Sequence, residues 1–176
     1  MAILVSRDGS DVFDQLVALG HKPPFRVDFG CGKLKTKGWV GMDIENVPGV
    51  DVIWDLRRGV PLRDNCVAQG VANQVLEHFT RQEAIALMDE LHRVFVVGGK
   101  MRIMVPHYLG PYAHADPGHL STYVEGFFHY FTPAHKNTMF NAGRKRFWKV
   151  VSMNGRREKH FDLLLPVEID VVLEKL

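Results

Sequence analysis

Residues 26–44 (RVDFGCGKLKTKGWVGMDI) constrain the fold more than any other stretch of the chain. An apolar pulse, Val27 and Phe29, runs into Gly30-Cys31-Gly32, and a second, Trp39, Val40 and Met42, runs into Asp43. The pattern reads as strand, glycine turn, short connection and a second strand with an acidic tip. In a parallel sheet that construction holds a nucleoside-bearing molecule against the carboxyl ends of the strands. The connection, residues 31–38, is too short for a long crossover helix, so it is either a single turn or a much abbreviated helix.

The remaining pattern extends the same sheet. Residues 50–54 (VDVIW) are a third apolar run, closed by Asp55, and residues 67–75 a fourth, with a bend expected at Gly70. Thr80 and Glu83 stand at capping-box spacing ahead of Ile85, Leu87, Met88, Leu91, Val94 and Phe95, which predicts a helix stopped at Gly98-Gly99. Residues 100–105 (KMRIMV) give a fifth strand, closed by Pro106. Upstream, Ser10-Asp11 caps an expected helix that Gly20 stops, and Pro23-Pro24 separates it from the first core strand. Residues 147–153 and 167–173 read as late strands added antiparallel to one sheet edge. Strands alternating with helical segments predict an α/β fold: a Rossmann-like, doubly wound, mostly parallel sheet (three-layer α/β/α) with an antiparallel C-terminal strand pair.

A length of 176 residues fits one domain. It divides into a lead-in (1–24), the glycine-turn core (25–106), a lid or substrate segment (107–146) and the C-terminal strands (147–176). Cys31 and Cys66 have no metal-finger spacing and are too few for a disulfide scaffold, so a reducing, cytoplasmic setting is expected. No apolar run approaches the roughly 18 residues of a membrane helix, and no membrane partner is expected. The net charge of +2 is unevenly spread. Residues 133–160 hold Lys136, Arg144, Lys145, Arg146, Lys149, Arg156, Arg157 and Lys159 against Glu158 alone. That stretch is either an attractor of phosphate or nucleic acid, or a solvated loop and hairpin surface.

Five ordered segments together resemble a class I S-adenosylmethionine-dependent methyltransferase, of the small single-domain, type 11-like kind. They are Asp28-Phe29-Gly30-Cys31-Gly32, Asp43, Asp55, NQVLEH at 73–78 and LHRVFVVGGK at 91–100. The resemblance covers residues 26–106 well and the rest loosely. It departs from the family at Leu34, where a third glycine is usual, so the path of the chain near the ligand's carboxylate, beside Lys33, is left open. A nicotinamide dehydrogenase competes less well, because Lys35 stands where its third glycine belongs.

The resemblance implies S-adenosylmethionine as cofactor, S-adenosylhomocysteine as product, and no metal. Gly30, Cys31 and Gly32 would admit the ligand to the backbone, Asp28 would fix the turn or meet the ammonium, and Asp43 with Ile44 would hold the ribose. Asp55 and Leu56 would receive adenine, and Asn73, Gln74 and Val75 would close over the methionine side. Acceptor chemistry falls to His78 and His107 as candidate bases and to Tyr108, His114, Asp116 and His119 as candidate acceptor contacts. Five of nine histidines lie within residues 107–135. They are a lid with one base, a metal set of His114, Asp116 and His119, or hydrogen-bonding members of an aromatic loop. A small-molecule, sugar or glycan acceptor is expected. A methyltransferase-like binding module for nucleic acid or protein, without catalysis, is the alternative, as is a metal-dependent enzyme.

Overall fold

The computed structural model describes residues 3–4, 11–143, 145–160 and 163–176; the expected cap Ser10 and the basic Arg144 lie outside them. In chain order the strands are β1 (Ile3–Leu4), β2 (Phe25–Phe29), β3 (Val40–Asp43), β4 (Val52–Ile53), β5 (Val67–Asn73), β6 (Phe95–Pro106), β7 (Trp148–His160) and β8 (Leu163–Lys175). They form one sheet in the order β1-β4-β3-β2-β5-β6-β8-β7. Every pair from β1 to β6 is parallel, and β8 joins β6 and β7 antiparallel. This is the doubly wound arrangement expected, with its antiparallel C-terminal pair.

Register places the core on one face. Val27 stands opposite Val40 and Gly70, Gly70 opposite Met101, and Met101 opposite Leu173. These residues are buried, as are Phe29, Met42, Ala72, Ile103 and Val171 one step along. Gly70 makes no bend. A Cβ there would lie 2.5 Å from the Phe95 ring and 2.7 Å from Met101 Sδ, so the glycine lets those side chains cross the strand. The opposite face is thinly covered: residues 30–39 and 44–51 hold turns and no helix, and Arg26, Gln69, Lys100 and Arg102 are exposed.

Helix α1 (Val12–Ala18) buries Val12 and Leu16 and sets the Phe13 ring 5.3 Å from Phe25. Helix α2 (Arg81–Val94) opens on the expected capping box between Thr80 and Glu83. Its end differs from expectation: the helix stops at Val94 and β6 begins at once, with Phe95 extended. Val94 and Phe95 are both fully buried, so the apolar pattern crosses the junction unbroken. Gly98-Gly99 instead lie in a bulge of β6, where residues 96–99 stand against Ala68 alone between the pairs Val67↔Phe95 and Gln69↔Lys100.

The late strands outrun their expected bounds, pairing from Trp148↔Lys175 to His160↔Leu163. The described residues between β6 and β7 hold short helices, α3 (Tyr112–Ala115) and α4 (Gly126–His129), single 3-10 turns and an isolated bridge between His107 and Tyr123. The aromatic spine of this segment belongs to the core, since Tyr123, Phe128 and Phe131 are at most 1% exposed. Among the described residues no helix is long and apolar enough to cross a membrane.

Candidate functional site

The chain leaves β2 for β3 and β4 on one side and returns to β5 on the other, which opens a crevice at the carboxyl ends of these strands. A cleft of about 400 Å³ lies there, within the size range of small-ligand sites. Of the residues expected at the cofactor, Gly30, Gly32, Asp43, Ile44, Asp55, Leu56, Gln74 and Val75 line it, and so does His78. Asp28, Cys31 and Asn73 do not. Glu45, Trp54, Arg57 and Phe79 line it too, and sequence reasoning passed over them.

The glycine turn is fixed by its surroundings. Gly30 has φ +68°, and a Cβ on it would sit 2.5 Å from Val75 Cγ2, two residues past β5. Glycine therefore lets two strand ends meet at the cleft floor. Asp43 closes the turn from the other side: its carboxylate accepts the Gly32 N–H at 2.7 Å and the Glu45 N–H at 2.9 Å. Each oxygen takes one backbone donor, and a carboxylate has about four acceptor positions, so further lone pairs stay available to a ligand's hydroxyls.

Asp28 serves the turn rather than the cleft. Its Oδ2 accepts the Thr36 N–H and hydroxyl, both at 2.7 Å, and the group is 5% exposed. Lys35 is likewise held, by Asp51, whose carboxylate also takes the Gly41 N–H. The buried Cys31 thiol is pushed up to about 12, by burial first and then by Asp28 and Asp43, which leaves it neutral and without nucleophile chemistry.

On the far wall, Asp55 caps a 3-10 turn, Leu56–Arg58, by accepting the Arg57 N–H at 2.9 Å. That turn aims Arg57 across the cleft, where its guanidinium donates to the His78 carbonyl at 3.0 Å and covers the Phe79 ring at 5.0 Å. Trp54 is fastened by its indole N–H to the Gly59 carbonyl. Gln74 has φ +56°, a left-handed conformation rare for a side chain of its kind, and its N–H is held by the Met104 carbonyl. Strain of this sort collects at ligand clamps.

Beyond Gln74, residues Leu76–His78 form a 3-10 turn from which His78 reaches the cleft. The His78 Nδ1 lies 3.2 Å from the Gly118 carbonyl. A carbonyl only accepts, so Nδ1 carries the proton and Nε2 is the basic nitrogen. Glu77 is 1% exposed, and its two carboxylate oxygens find no hydrogen-bond partner among the described residues. Burial pushes its pKa up to about 7; its own backbone N–H pulls the other way, and Asp116 adds to the rise.

The segment after β6 is pinned to this turn. The Glu77 carbonyl accepts the N–H groups of Leu120 and Ser121, and the Tyr123 hydroxyl donates to the Leu76 carbonyl at 2.8 Å. The ring of His119 thereby meets that of His78 edge-on at 5.0 Å. Asp116 and His119, both expected near the acceptor, line a depression beside Tyr112, Ala115 and Pro117. Tyr108 and His114 do not line it: the two rings pack edge-on, and His114 Nε2 lies 2.8 Å from the Tyr108 carbonyl.

His107, expected as a base, is 4% exposed and lies outside the cleft lining. Its Nδ1 accepts the Leu109 N–H at 3.0 Å and its Nε2 faces Glu125 at 3.3 Å, so both nitrogens are engaged in holding the chain. The metal set of His114, Asp116 and His119 does not assemble. Among the described residues, Glu77, His78 and His119 bring ligand atoms within 4.8 Å of one another. The basic stretch is dispersed over a loop and a long hairpin, with Arg156 paired to Glu158 at 2.6 Å and Lys149 near Glu174 at 3.9 Å.

The sequence matches no protein-family profile and no curated protein. The fold recurs among solved structures. A S-adenosylmethionine-dependent methyltransferase from Archaeoglobus fulgidus aligns over 95% of this chain and 94% of its own, with a TM-score of 0.57 at 14% identity. Another, from Methanosarcina mazei, aligns over 86% and 92%, with a TM-score of 0.58 at 12% identity. The Burkholderia thailandensis 1,6-didemethyltoxoflavin-N1-methyltransferase, solved with S-adenosylhomocysteine bound, aligns over 96% and 77%, with a TM-score of 0.58 at 14% identity. The chain has the class I S-adenosylmethionine-dependent methyltransferase fold.

Proposed function

We propose that this chain is a S-adenosylmethionine-dependent methyltransferase that acts on a small-molecule acceptor by in-line displacement. The observation that carries the reading is Asp43: a carboxylate at a strand end, held by two backbone amides and facing a cleft of nucleoside size. The residues present fit the ligand, since Gly30 and Gly32 clear the floor on one side and Trp54, Asp55 and Leu56 wall the other.

When bound, the ligand supplies a methyl group on a sulfonium, already a good leaving group. What the protein contributes is alignment and exclusion of water. Asp43 would hold the ribose hydroxyls, Asp55 would take the adenine amine, and Gly30 with Val75 would form the floor on the methionine side. Arg57, bridged to the His78 carbonyl, closes the wall over Phe79. His78 Nε2 takes the proton of an acceptor hydroxyl as the new bond forms, its tautomer set by Gly118. His107 holds the start of the acceptor segment and has no base role in this reading.

Calorimetric titration with S-adenosylmethionine and S-adenosylhomocysteine tests the assignment. Both should bind one to one. Asp43→Ala should weaken both by roughly tenfold to a hundredfold, since a hydrogen bond to a charged group contributes about 1.5–3 kcal/mol. No binding of either ligand at about 1 mM would sink the proposal.

A further inference from the structure

We propose that Glu77, His78 and His119 form a divalent cation site at the junction of the cofactor cleft and the acceptor depression. The ligand-capable atoms of the three lie within 4.8 Å of one another. Bonds of about 2.0–2.2 Å to a shared ion bring such atoms to roughly 3.5 Å apart, which side-chain rotations of about 1 Å achieve.

Three independent features point to a cation. The first is Glu77, 1% exposed, with both carboxylate oxygens unpartnered among the described residues. A buried carboxylate without donors is costly, and buried charges are ordinarily paired or bound to metal. The second is the surrounding charge. The side-chain charge that acts on Glu77 is Asp116, of the same sign, while the neighbouring arginines are turned away. Arg57 reaches the His78 carbonyl and Glu83, and Arg81 reaches the Thr122 carbonyl and the ring of Tyr123. The place of a positive charge beside Glu77 is thus left to something other than a described side chain.

The third feature is the orientation of the imidazoles. His78 Nδ1 faces the Gly118 carbonyl at 3.2 Å, and His119 Nδ1 faces the Ala113 carbonyl at 3.4 Å. The contact with Gly118 keeps the His78 proton at Nδ1 and leaves Nε2 as a lone-pair donor, while His119 Nε2 lies 3.9 Å from the Asp116 carboxylate, a fourth candidate ligand at the edge of the cluster. Metal-bound histidines are commonly held in this way by a backbone carbonyl.

Two imidazoles and one carboxylate suit Mn²⁺, Fe²⁺, Co²⁺ or Zn²⁺ better than Mg²⁺, which prefers oxygen ligands in a strict octahedron. Three protein ligands leave coordination positions open. His78 lines the cofactor cleft and His119 the acceptor depression, so an ion held between them would sit where the two meet. Use of the ion in the reaction rests on the methyltransferase reading; the site itself does not. With the ion bound, His78 would be a ligand rather than the base, and the ion's charge would lower the pKa of a coordinated hydroxyl so that its proton passes to water.

The test uses untagged full-length protein stripped with EDTA and titrated calorimetrically with MnCl₂ and, separately, ZnCl₂, with S-adenosylhomocysteine binding measured on the same samples. One-to-one binding is expected, weakened at least about tenfold in His119→Ala and in Glu77→Gln, and unchanged in His129→Ala, an exposed histidine elsewhere. Absence of binding at about 1 mM overturns the site, as does binding indifferent to both ligand substitutions. If S-adenosylhomocysteine still binds in those cases, the cation site falls alone and the methyltransferase reading stands. Retained S-adenosylhomocysteine binding in the variants also shows that any loss of metal is not a loss of fold.

Discussion

Gly30→Ala tests the geometry of the cleft floor. Two separate costs attach to this substitution. The backbone has φ +68°, where an L side chain costs about 1–2 kcal/mol. The new Cβ would stand 2.5 Å from Val75 Cγ2 and 3.2 Å from Cγ1, whereas unbonded carbons settle at about 3.5–4.0 Å. Overpacking of that size adds about 1–3 kcal/mol. The narrower unfolded ensemble of alanine returns about 0.4–1 kcal/mol, so the net loss is about 2–4 kcal/mol. Gly32→Ala provides the internal comparison, because its φ is +47° but nothing lies within 4 Å of its added Cβ. It should cost about 1 kcal/mol or less. Urea unfolding of Gly30→Ala in wild-type and Val75→Ala backgrounds isolates the steric part, and the cycle should show a coupling of about 1–3 kcal/mol. An equal cost in both backgrounds, or a Gly30→Ala loss no larger than that of Gly32→Ala, would refute the packing argument.

Burial raises the Glu77 carboxyl from the usual 4.5 to about 7, so between those values the folded protein holds a proton that the unfolded chain has released. Stability of metal-free protein should fall by about 3 kcal/mol as pH rises from 4.5 to 7, at about 1.4 kcal/mol per pH unit. Glu77→Gln should abolish that slope in urea midpoints, and an unaltered slope would contradict the burial argument. Burial likewise pushes Cys31 up to about 12 and Cys66 up to about 11. Iodoacetamide at pH 8 should label the native protein on the order of a hundredfold more slowly than a free thiol; mass spectrometry reads this, and ordinary rates would count against it. Thr80→Ala removes the capping box of α2 and should lower stability by about 1 kcal/mol in thermal unfolding, with no change in the cleft.

The parts of the fold that local chemistry dictates were legible in the chain. The glycine turn and the acidic tip at Asp43 announced themselves because a strand end needs both a turn and a polar exit. Thr80 and Glu83 marked the start of α2 through a four-residue pattern. The end of that helix was not legible, since Val94 and Phe95 satisfy a helix face and a buried strand equally well, and the glycines after them suggested a stop. His107 and Glu77 show the limit at the site. A histidine just past a strand invites a catalytic reading, yet whether its nitrogens are free depends on Leu109 and Glu125, which only folding brings to it. Glu77 looked like half of a familiar pair with His78. Its burial away from side-chain donors depends on residues 116–123, more than 35 positions downstream, whose Leu120 and Ser121 N–H groups bind its carbonyl. Arg57 was missed for the same reason, because its reach across the cleft depends on the 3-10 turn that Asp55 caps.

The connection between β2 and β3 has an electrostatic consequence. A helix starting just past a glycine turn presents about half a positive charge to the anionic end of a ligand, from dipoles set in the protein interior. Here residues 31–39 are turns, tied down by Thr36 on Asp28 and Lys35 on Asp51, and no helix begins there. The cation nearest the turn in sequence is Lys33, beside Gly32 and exposed to solvent. A lysine in water is screened over a Debye length of about 8 Å at physiological ionic strength, whereas a buried helix terminus is far less so. On the proposed reading an exposed lysine stands where a helix terminus would supply a fixed field, so affinity for a zwitterionic ligand should fall as ionic strength rises.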